Sequence, residues 1–523
     1  MENNTNQNIQ PQVPPQGMQP MPPFAPMPPM PGMPMPSRRR NAAAQAKAIF
    51  PKWLSQYPLV VYLLVLVVVT FMYSEYSLPW YYMLSGVVAV GVFFFYGSTA
   101  VKDTLPDVMR RESRFEKRLF MIAFIPRVIW MFLIYTVFMQ TYGDAFGFEN
   151  ADATFYKDLG EDFSAAIKNG NFISTWRQNN QIIDLSDMGY AAYVGLIYRF
   201  TDNSVIALRL LKCLWSSLTV ILIYRLAKLN FDIQTARVAA IFCALWPNFW
   251  YYCGCHLKET EMTFLGVLFV EQADQMLRSR QFTAWKIGIL LLISMALFTI
   301  RTPLALVSLL SLLFSVTMAS SRIVDWGKRI VIGILSVGLI AVTMGNQIEE
   351  QTRGLIDTVR SGEQQQNMEW RGTREHGNAY AKYAGKSVFA PLIFTIPFPS
   401  MVRPFEGQEQ QQLLNGGNFV KNIMSAFTIF AMFMLLLSGK WREHLVPLSF
   451  LLGYLVVLTM STFAQSERFH QPAMPFEFMF AAYGLSIAVT KKKYKRWFMY
   501  WCGIMFVAAI AWSLFKMAGR GLE

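Results

Sequence analysis

Four residues in two short polar segments have side chains suited to acid–base chemistry. Asp152 and Tyr156 lie four residues apart in "NADATFYKDL", so on a helix both side chains would lie on one face. Lys258 and Glu259 are adjacent in "CHLKETE", and because neighbouring residues on a helix point apart, we expect them to contact different partners. A carboxylate that reaches water beside a long apolar stretch is well placed to act as a general base. The same charges would also be ordinary at a helix end, where Lys and Glu reach water.

Two arginines and one histidine lie in equally short connections and suit the binding of an anion. Arg301 lies in "FTIRTPL", where Pro303 ends one helix or starts the next. Arg468 and His470 lie in "SERFHQPAMPFEF". A guanidinium group binds phosphate oxygens in pairs, so both arginines are candidate phosphate ligands. His470 could titrate near neutral pH, although a single histidine without partners is more often structural.

The chain that positions these residues has the composition of a membrane protein. Its 523 residues are 54% hydrophobic and 15% charged, whereas a typical soluble domain is about 25% charged. Recurring apolar windows predict an all-α polytopic membrane protein with about 13 transmembrane helices. The windows are 57–74, 79–98, 119–141, 204–227, 234–252, 261–277, 284–299, 303–319, 329–345, 421–438, 445–462, 473–489 and 497–515. Two further apolar stretches, 187–200 and 388–400, are predicted to be re-entrant or interfacial helices.

Basic segments fall on alternate loops, and this pattern sets the predicted orientation. If the N-terminus is cytoplasmic, all of them lie on the cytoplasmic face of the membrane. The segments are "SRRR", "RRESRFEKR", "YRLAK", "LRSRQ", "SSRIVDWGKR", "GKWREH" and "KKKYKR". The net charge of +14 therefore reflects membrane topology, and no nucleic-acid partner is predicted. The opposite face receives two large loops, 142–186 and 346–420. Because loops on a rigid scaffold commonly carry binding and chemistry, we expect function on this non-cytoplasmic face.

The predicted organisation has five parts, of which the first cannot build a hydrophobic core. That part contains "PQVPPQGMQPMPPFAPMPPMPGMPMP" and is predicted to be a disordered cytoplasmic tail. The parts are the tail, 1–45; two additional N-terminal spans with a basic cytoplasmic loop, 46–118; the central transmembrane core with the first outer loop 142–186, 119–345; the large outer loop, 346–420; and the C-terminal transmembrane helices, 421–523.

Several common catalytic and metal-binding patterns receive little support. Cys253, Cys255 and His256 form a compact C-x-C-H, which is short of the roughly four ligands of a zinc site and also fits the polar end of a helix. Five cysteines in so large a chain do not imply a disulfide framework. No Walker loop, Rossmann glycine pattern, H-E-x-x-H or G-x-S-x-G occurs in a credible context, so nucleotide hydrolysis and serine hydrolase chemistry are not favoured.

Two stretches of the chain resemble a known family of membrane enzymes. The longer stretch, at about 150–265, contains "NADATFYKDL", "DMGYAAYVGLIYRF", "LIYRLAK" and "CHLKETEMTFL", and the shorter is "ERFHQPAMPFEFMFAAYGL". Their order is similar to that of the GT-C glycosyltransferases that use polyprenyl-phosphate sugars, namely the protein O-mannosyltransferase-like and aminoarabinose-transferase-like groups. The resemblance covers about a third of the chain. The two N-terminal spans and the Pro- and Met-rich tail lie outside it.

The resemblance implies roles for the residues of the two polar segments. Asp152 would be the base that deprotonates an acceptor hydroxyl, and Tyr156 would shape the same pocket. Lys258 and Glu259 would lie near the sugar donor.

The remaining candidates are assigned more by chemistry than by motif. Arg301 and Arg468 would bind the donor phosphate, and His470 is included among the substrate-binding residues. The family often has a second acidic residue, for which three positions in the same loop are open: Asp144, Asp158 and Asp162.

The implied reaction is the transfer of a sugar from a polyprenyl-phosphate donor to a glycan, lipid or protein acceptor. It would occur at the outer face of a bacterial inner membrane, and a single displacement would invert the anomeric centre. A divalent cation could help to neutralise the phosphate, but the sequence contains no clear ligand set. We therefore assign no metal site and no cofactor.

Two other functions stay open. A surface-polysaccharide polymerase or ligase of the O-antigen type would also have many spans and outer arginines, here Arg353, Arg360, Arg371 and Arg374. A lipid-linked sugar transporter or flippase would carry ionisable residues near the bilayer midplane and broken helices in matched halves. Charges inside the predicted spans are few, and no inverted repeat is evident.

Overall fold

The computed structural model describes residues 50–104, 112–147, 150–318, 390–403, 410–460, 462–489 and 493–518. Within these ranges the regular structure is helical, apart from an isolated antiparallel bridge between Ser77 and Val402. The α-helices are α1 (Lys52–Met72), α2 (Trp80–Asp103, with a π-helical turn at Val92–Tyr96), α3 (Glu112–Tyr142), α4 (Asn150–Asn169), α5 (Phe172–Asn179), α6 (Leu185–Thr201), α7 (Val205–Asn230), α8 (Ile233–Leu245), α9 (Pro247–Cys253), α10 (Glu259–Ser279), α11 (Ala284–Ile300), α12 (Thr302–Met318), α13 (Gln410–Leu437), α14 (Leu445–Thr459), α15 (Glu467–His470), α16 (Met474–Ala488) and α17 (Lys493–Ala518).

Seven helices among the described residues are long and apolar enough to cross a membrane. They are α1, α2, α3, α7, α13, α17 and the segment Lys440–Thr459 that contains α14. Four more apolar helices are shorter, namely α8, α11, α12 and α16. By helix length and composition, the chain is an all-α polytopic membrane protein. The predicted span 329–345 and the Pro- and Met-rich tail lie outside the described residues, so the number of about 13 spans stays a prediction.

Helix α7 lies at the centre of the bundle, whereas the outer helices expose apolar side chains. Helix α7 packs against α3, α8 and α10, and 61% of its most apolar window is buried, against 22% for α3. The outer surface exposes large apolar side chains such as Phe71, Ile129 and Leu292. Exposed apolar area of this extent is typical of a surface that contacts lipid.

The predicted outer loop 142–186 contains two helices, α4 and α5, and is followed by α6. Helix α4 buries one face at helical spacing, formed by Ala153, Tyr156, Leu159, Phe163 and Ala166. The stretch 187–200, predicted to be re-entrant or interfacial, belongs to α6. This helix is capped by Asp184, whose carboxylate accepts a hydrogen bond from the Ser186 backbone N–H at 3.0 Å. Helix α4 packs along α6, and this contact positions Asp152 in the first turn of α4.

The second predicted outer loop, 346–420, is described only in its last part. Helix α13 begins at Gln410, so the span predicted to start at 421 begins earlier. The helix predicted over 388–400 is wrong for the described residues from 390 onward, which form one short 3₁₀ turn at Ala390–Leu392 and then irregular backbone. Prolines explain the difference, because each removes a backbone N–H and clashes with the preceding helical turn. They occupy positions 391, 397 and 399.

Two glycines allow α4 and α6 to approach closely where they cross. A Cβ atom at Gly195 of α6 would lie 2.5 Å from the Phe163 Cβ and 2.9 Å from the Gly160 carbonyl oxygen, both on α4. These separations are shorter than van der Waals contact distances, so the crossing requires a residue without a side chain.

We expect Gly195→Ala to lower the free energy of unfolding by about 1–3 kcal/mol, because the new methyl group meets the α4 backbone. Gly91→Ala in α2 is the matched control, since a Cβ there meets no atom within 4 Å, and Ala is the better helix former. Thermal unfolding of the purified protein in detergent measures both changes. Equal midpoints for the two variants would contradict a tight crossing.

Candidate active site

Five of the residues singled out from the sequence lie at one end of the helix bundle. Asp152 lies in the first turn of α4, Lys258 and Glu259 lie at the start of α10, Arg301 lies in the link from α11 to α12, and Arg468 lies in α15. Short connections make consecutive helices antiparallel, so the start of α10 and the α11–α12 link occur at the same end. Residues far apart in the sequence therefore form one polar cluster.

Arg468 is the centre of this cluster because its guanidinium contacts two carboxylates. Nε donates to Glu259 Oε1, and Nη1 donates to Asp152 Oδ2. The two acids differ in exposure, since the side chain of Glu259 is 1% exposed and that of Asp152 is 55% exposed. Burial acts to lower the pKa of Arg468, but Glu259 and Asp152 outweigh it and hold that pKa well above its usual value. Arg468 is therefore a permanent cation that contacts both a buried and an exposed carboxylate.

Lys258 and Tyr156 meet on a third carboxylate, Asp187 of α6. The Tyr156 hydroxyl donates to Asp187 Oδ1 at 2.6 Å, and Lys258 Nζ donates to Asp187 and, at 2.9 Å, to the Ser186 carbonyl oxygen. Burial raises the pKa of Asp187, but Lys258, the Tyr156 hydrogen bond and the nearby Arg301 together hold it below its ordinary value. Burial is also the main cause that raises the pKa of Tyr156 and lowers that of Lys258. Asp187 thus stays charged, and it fixes Lys258 and Tyr156 next to Glu259 and Asp152, the two residues that Arg468 contacts.

Arg301 and Arg468 lie near the same aromatic ring. The Arg301 guanidinium carbon is 4.9 Å from the centre of the Phe469 ring, and that of Arg468 is 5.7 Å from it. Tyr454 fixes this segment by donating to the Phe469 carbonyl oxygen at 2.8 Å. Within the part of the chain that the structure describes, the Arg301 side chain makes no hydrogen bond and no ion pair, so its guanidinium N–H groups are available to a ligand.

His470 lies away from this cluster, in a buried network. Its Nδ1 accepts a hydrogen bond from Lys421 at 2.6 Å, and its Nε2 donates to the Ala464 carbonyl oxygen at 2.8 Å. Lys421 also donates to the Ile396 carbonyl oxygen at 2.6 Å. Burial and the Lys421 charge lower the pKa of His470 well below its usual value. Its environment is that of a structural histidine, and we leave it out of the site.

The three acids left open by the sequence have contacts or surroundings of another kind. Asp144 accepts hydrogen bonds from the Phe146 and Gly147 backbone N–H groups at 2.7 and 3.0 Å, which stabilises a turn. Asp158 is exposed beside Lys157, and Asp162 is exposed on α4. Sequence reasoning missed Asp187, whose only local signal is an acidic residue in the first turn of α6.

The C-x-C-H segment has the contacts of a helix end. The Cys253 and Cys255 thiols donate to carbonyl oxygens four residues earlier in the chain, at 3.1 and 3.5 Å. His256 is buried against Tyr198 and Phe146. Among the described residues, no group of three or more His, Cys, Asp or Glu side chains is arranged to hold a metal ion.

The chain matches no family model, no curated protein and no solved structure. The assignment of a function therefore depends on the geometry of the cluster and on the motifs.

We expect Asp187→Asn to lower the free energy of unfolding by about 1–3 kcal/mol at pH 7, because it leaves the buried Lys258 without its counter-charge. The pKa of Asp187 is lower in the folded state than in the unfolded state. The contribution of Asp187 to the free energy of unfolding is therefore fully present above its unfolded pKa of about 3.9, and it is lost only as the pH falls through the lower, folded value. The difference in free energy of unfolding between wild type and Asp187→Asn should therefore be constant from about pH 5 to 8.

Thermal unfolding of both proteins across this pH range provides the measurement. Asp158→Asn is the control, because Asp158 is exposed on α4 and, among the described residues, forms an ion pair with the partly exposed Lys157. A loss that disappears at pH 5, or one equal to that of the control, would show that the Lys258–Asp187 contact is not a stabilising ion pair.

Proposed function

We propose that the protein is a membrane glycosyltransferase that moves a sugar from a polyprenyl-phosphate donor to an acceptor hydroxyl. The observation that carries this proposal is the contact between Asp152 and Arg468, a solvent-exposed carboxylate beside a fixed guanidinium. Transfer from a sugar phosphate needs both groups, one to accept a proton and one to stabilise the departing phosphate. The family resemblance independently assigns the base role to Asp152.

The charges around the site suit an anionic leaving group. Lys258 is neutralised by Asp187, and Glu259 holds one edge of Arg468. The N–H groups of Arg301 and the edge of Arg468 that now contacts Asp152 are the donors that a phosphate group could use. Guanidinium groups bind phosphate oxygens in pairs, which orients the phosphate as well as stabilising its charge.

Asp152 must separate from Arg468 before it can act as a base. Its Oδ2 atom accepts from Arg468 Nη1, so this oxygen is not open to an acceptor hydroxyl while the contact persists. A donor phosphate competes with Asp152 for the same guanidinium, and Asp152 is the exposed partner that can leave, whereas Glu259 is buried. Binding of the donor would thus free the base in the complex that needs it.

The reaction then balances as a single displacement. The acceptor O–H gives its proton to Asp152, and its oxygen forms a bond to the anomeric carbon. The bond from that carbon to the phosphate oxygen breaks, and the polyprenyl phosphate leaves with the electron pair. The anomeric centre is inverted, and Arg301 and Arg468 stabilise the charge that develops on the phosphate.

The setting of the reaction follows from the lipid nature of the donor. The alternating basic loops favour a cytoplasmic N-terminus, about 13 spans and a site at the outer face of a bacterial inner membrane. The acceptor is a glycan, lipid or protein hydroxyl at that surface. The bilayer itself delivers the donor.

We expect Asp152→Asn to reduce transfer by about 10²–10⁴-fold, since the general base is lost. The same variant should bind polyprenyl phosphate about 2–5-fold more tightly, because an exposed ion pair worth up to about 1 kcal/mol no longer competes with the phosphate. Transfer is measured with polyprenyl-phosphate sugars, and binding with polyprenyl phosphate, both on the full chain in lipid nanodiscs.

Two variants control this prediction. Asp162→Asn, at an exposed position of the same helix, should change neither quantity. Arg468→Lys should weaken binding, because lysine cannot present a planar pair of donors. Normal transfer by Asp152→Asn would refute the base assignment, and unchanged phosphate binding by it would refute the displacement of Asp152 by phosphate.

A lipid-linked sugar flippase is a second candidate, favoured by ion pairs inside the helix bundle. Lys212 Nζ contacts Glu261 Oε2 at 2.7 Å, and Lys421 Nζ lies 3.9 Å from Glu477 Oε1, with all four residues buried. Buried ionisable residues in membrane helices often mark a transport path. Movement of a labelled polyprenyl-phosphate sugar across proteoliposomes without any transfer would favour this function.

The arginines that favour a polysaccharide polymerase or ligase lie outside the described residues. The reaction product distinguishes that alternative from the proposed glycosyltransferase, because a polymerase joins repeat units and a glycosyltransferase adds one sugar.

A further inference from the structure

The aromatic ring of Phe469 lies close to both arginines that are proposed to bind the donor phosphate. The Arg301 guanidinium carbon is 4.9 Å from the ring centre and that of Arg468 is 5.7 Å from it, distances at which a cation–π interaction forms. Arg301 lies in the link from α11 to α12, whereas Arg468 and Phe469 are neighbours in α15. The ring therefore brings together two parts of the site that are distant in the chain.

The two arginines differ in what else holds them. Arg468 donates to Glu259 and to Asp152, so two carboxylates fix its guanidinium. The Arg301 side chain makes no such contact within the described ranges, and its guanidinium lies over the Phe469 ring instead. An arginine side chain has several rotatable bonds and loses much rotamer freedom when it is held in one place. The position of the Arg301 guanidinium therefore depends on the ring.

Nearby positive charges would otherwise drive the Arg301 guanidinium towards water. Burial is the main cause that lowers the pKa of Lys258, and the Arg301 charge lowers it further, so these two cations lie close together. The Arg468 guanidinium is near the same ring. Asp187 attracts Arg301 as well, but it already accepts from Lys258. Because like charges repel and the electron-rich face of an aromatic ring attracts a guanidinium, the ring counteracts this repulsion.

An aromatic ring holds a guanidinium without using the groups that bind phosphate. The ring attracts the positive charge through its π electrons and supplies no oxygen acceptor. A carboxylate in its place would accept N–H groups of Arg301, as Glu259 and Asp152 accept those of Arg468. The ring thus leaves the Arg301 donors to a phosphate group. A guanidinium that is already in position also loses less conformational entropy when the phosphate binds.

The backbone of Phe469 is fixed on both sides, so the ring has a rigid support. Its N–H donates to the Ser466 carbonyl oxygen at 3.2 Å, and its carbonyl oxygen accepts from the Tyr454 hydroxyl at 2.8 Å. Tyr454 belongs to α14 and is buried. Phe469 is therefore anchored to the helix bundle.

We propose that Phe469 is a positioning residue, whose ring holds the Arg301 guanidinium where it binds the donor phosphate. The proposal rests on the proposed function, since the ligand of Arg301 is the phosphate of the polyprenyl donor. Phe469 acts through Arg301 and has little effect on Arg468, which keeps its carboxylate contacts without the ring. The aromatic character of Phe469, more than its volume, then determines the affinity for phosphate.

Fluorinated phenylalanines test this role, because ring fluorines withdraw electron density from the ring face and barely change its shape. Analogues with one, two and three ring fluorines are incorporated at position 469 of the full chain, and binding of polyprenyl phosphate is measured in lipid nanodiscs. We expect Kd to rise stepwise, by about 5-fold from phenylalanine to the trifluoro analogue. Equal affinities across the series would overturn the proposal, since the ring would then act by its shape alone.

The same series at Phe427 is the matched control. Phe427 is also buried in an aromatic contact, with its ring centre 5.2 Å from that of Phe498, but it lies in α13 outside the polar cluster. We expect no change in Kd at this position. An equal rise at both positions would refute a specific role for the Phe469 ring.

Combined variants identify the residue through which Phe469 acts. Phe469→Leu, which keeps an apolar side chain, should raise Kd about 5-fold, and Phe469→Tyr, which keeps the ring, should bind like wild type. Combined with Arg301→Ala, Phe469→Leu should change Kd by about 2-fold or less, because the group that it positions is gone. Combined with Arg468→Lys, it should keep its 5-fold effect. The opposite pattern in the two combinations would overturn the assignment to Arg301.

The density of the Arg301 side chain tests the positioning role separately from the proposed function. If wild type does not bind polyprenyl phosphate, the glycosyltransferase assignment fails. Cryo-electron microscopy of the full chain in lipid nanodiscs should still show an ordered Arg301 guanidinium over the Phe469 ring, and this density should be lost in Phe469→Leu. An Arg301 guanidinium that stays in place in Phe469→Leu would refute the positioning role.

Discussion

Arg468 holds two carboxylates that belong to different parts of the protein. Glu259 starts a helix of the bundle, and Asp152 lies in the first turn of a helix outside it. The planar guanidinium fixes the directions of both contacts, so its position determines how α4, α10 and α15 meet. A second carboxylate, Asp187, fixes the neighbouring Lys258 and Tyr156. Without Arg468, a buried carboxylate would be left unpaired, and Asp152 would lose its link to the bundle.

Three charged residues at the start of α10 form ion pairs with three different partners. Lys258 contacts Asp187 on α6, Glu259 contacts Arg468 on α15, and Glu261 contacts Lys212 on α7. Acidic residues at a helix N-terminus also interact favourably with the helix dipole. Because every buried charge in this turn is paired, the turn connects three helices at the end of the bundle where the site lies.

The sequence predicts the helices better than it predicts the contacts between them. Most long apolar windows correspond to single helices in the described residues, because length and hydropathy are local properties. The single span predicted over 234–252 is wrong, since Pro247 starts a second helix there and divides it into α8 and α9. The four-residue spacing of Asp152 and Tyr156 predicts a shared helix, and α4 contains both. The structure also gives Lys258 and Glu259 different partners, as adjacency on a helix predicts.

Contacts between distant segments could not be read from local patterns. Arg468 is 316 residues from Asp152 and 209 residues from Glu259 in the chain, and no hydrophobic period encodes such a pairing. Asp187 was missed for the same reason, since its role depends on Tyr156 and Lys258, which lie on other elements. His470 is adjacent to the site in sequence, but its side chain points into the interior towards Lys421.

The depth of Asp152 in a membrane would follow from another contact of this kind. Helix α4 packs on α6, and α6 exposes Leu196 and Phe200 four residues apart, an apolar stripe suited to lipid. The level of this stripe in a bilayer would set the height of Asp152 above the hydrocarbon. Under the proposed function, the thickness of the membrane would then influence how the carboxylate meets a lipid-borne phosphate.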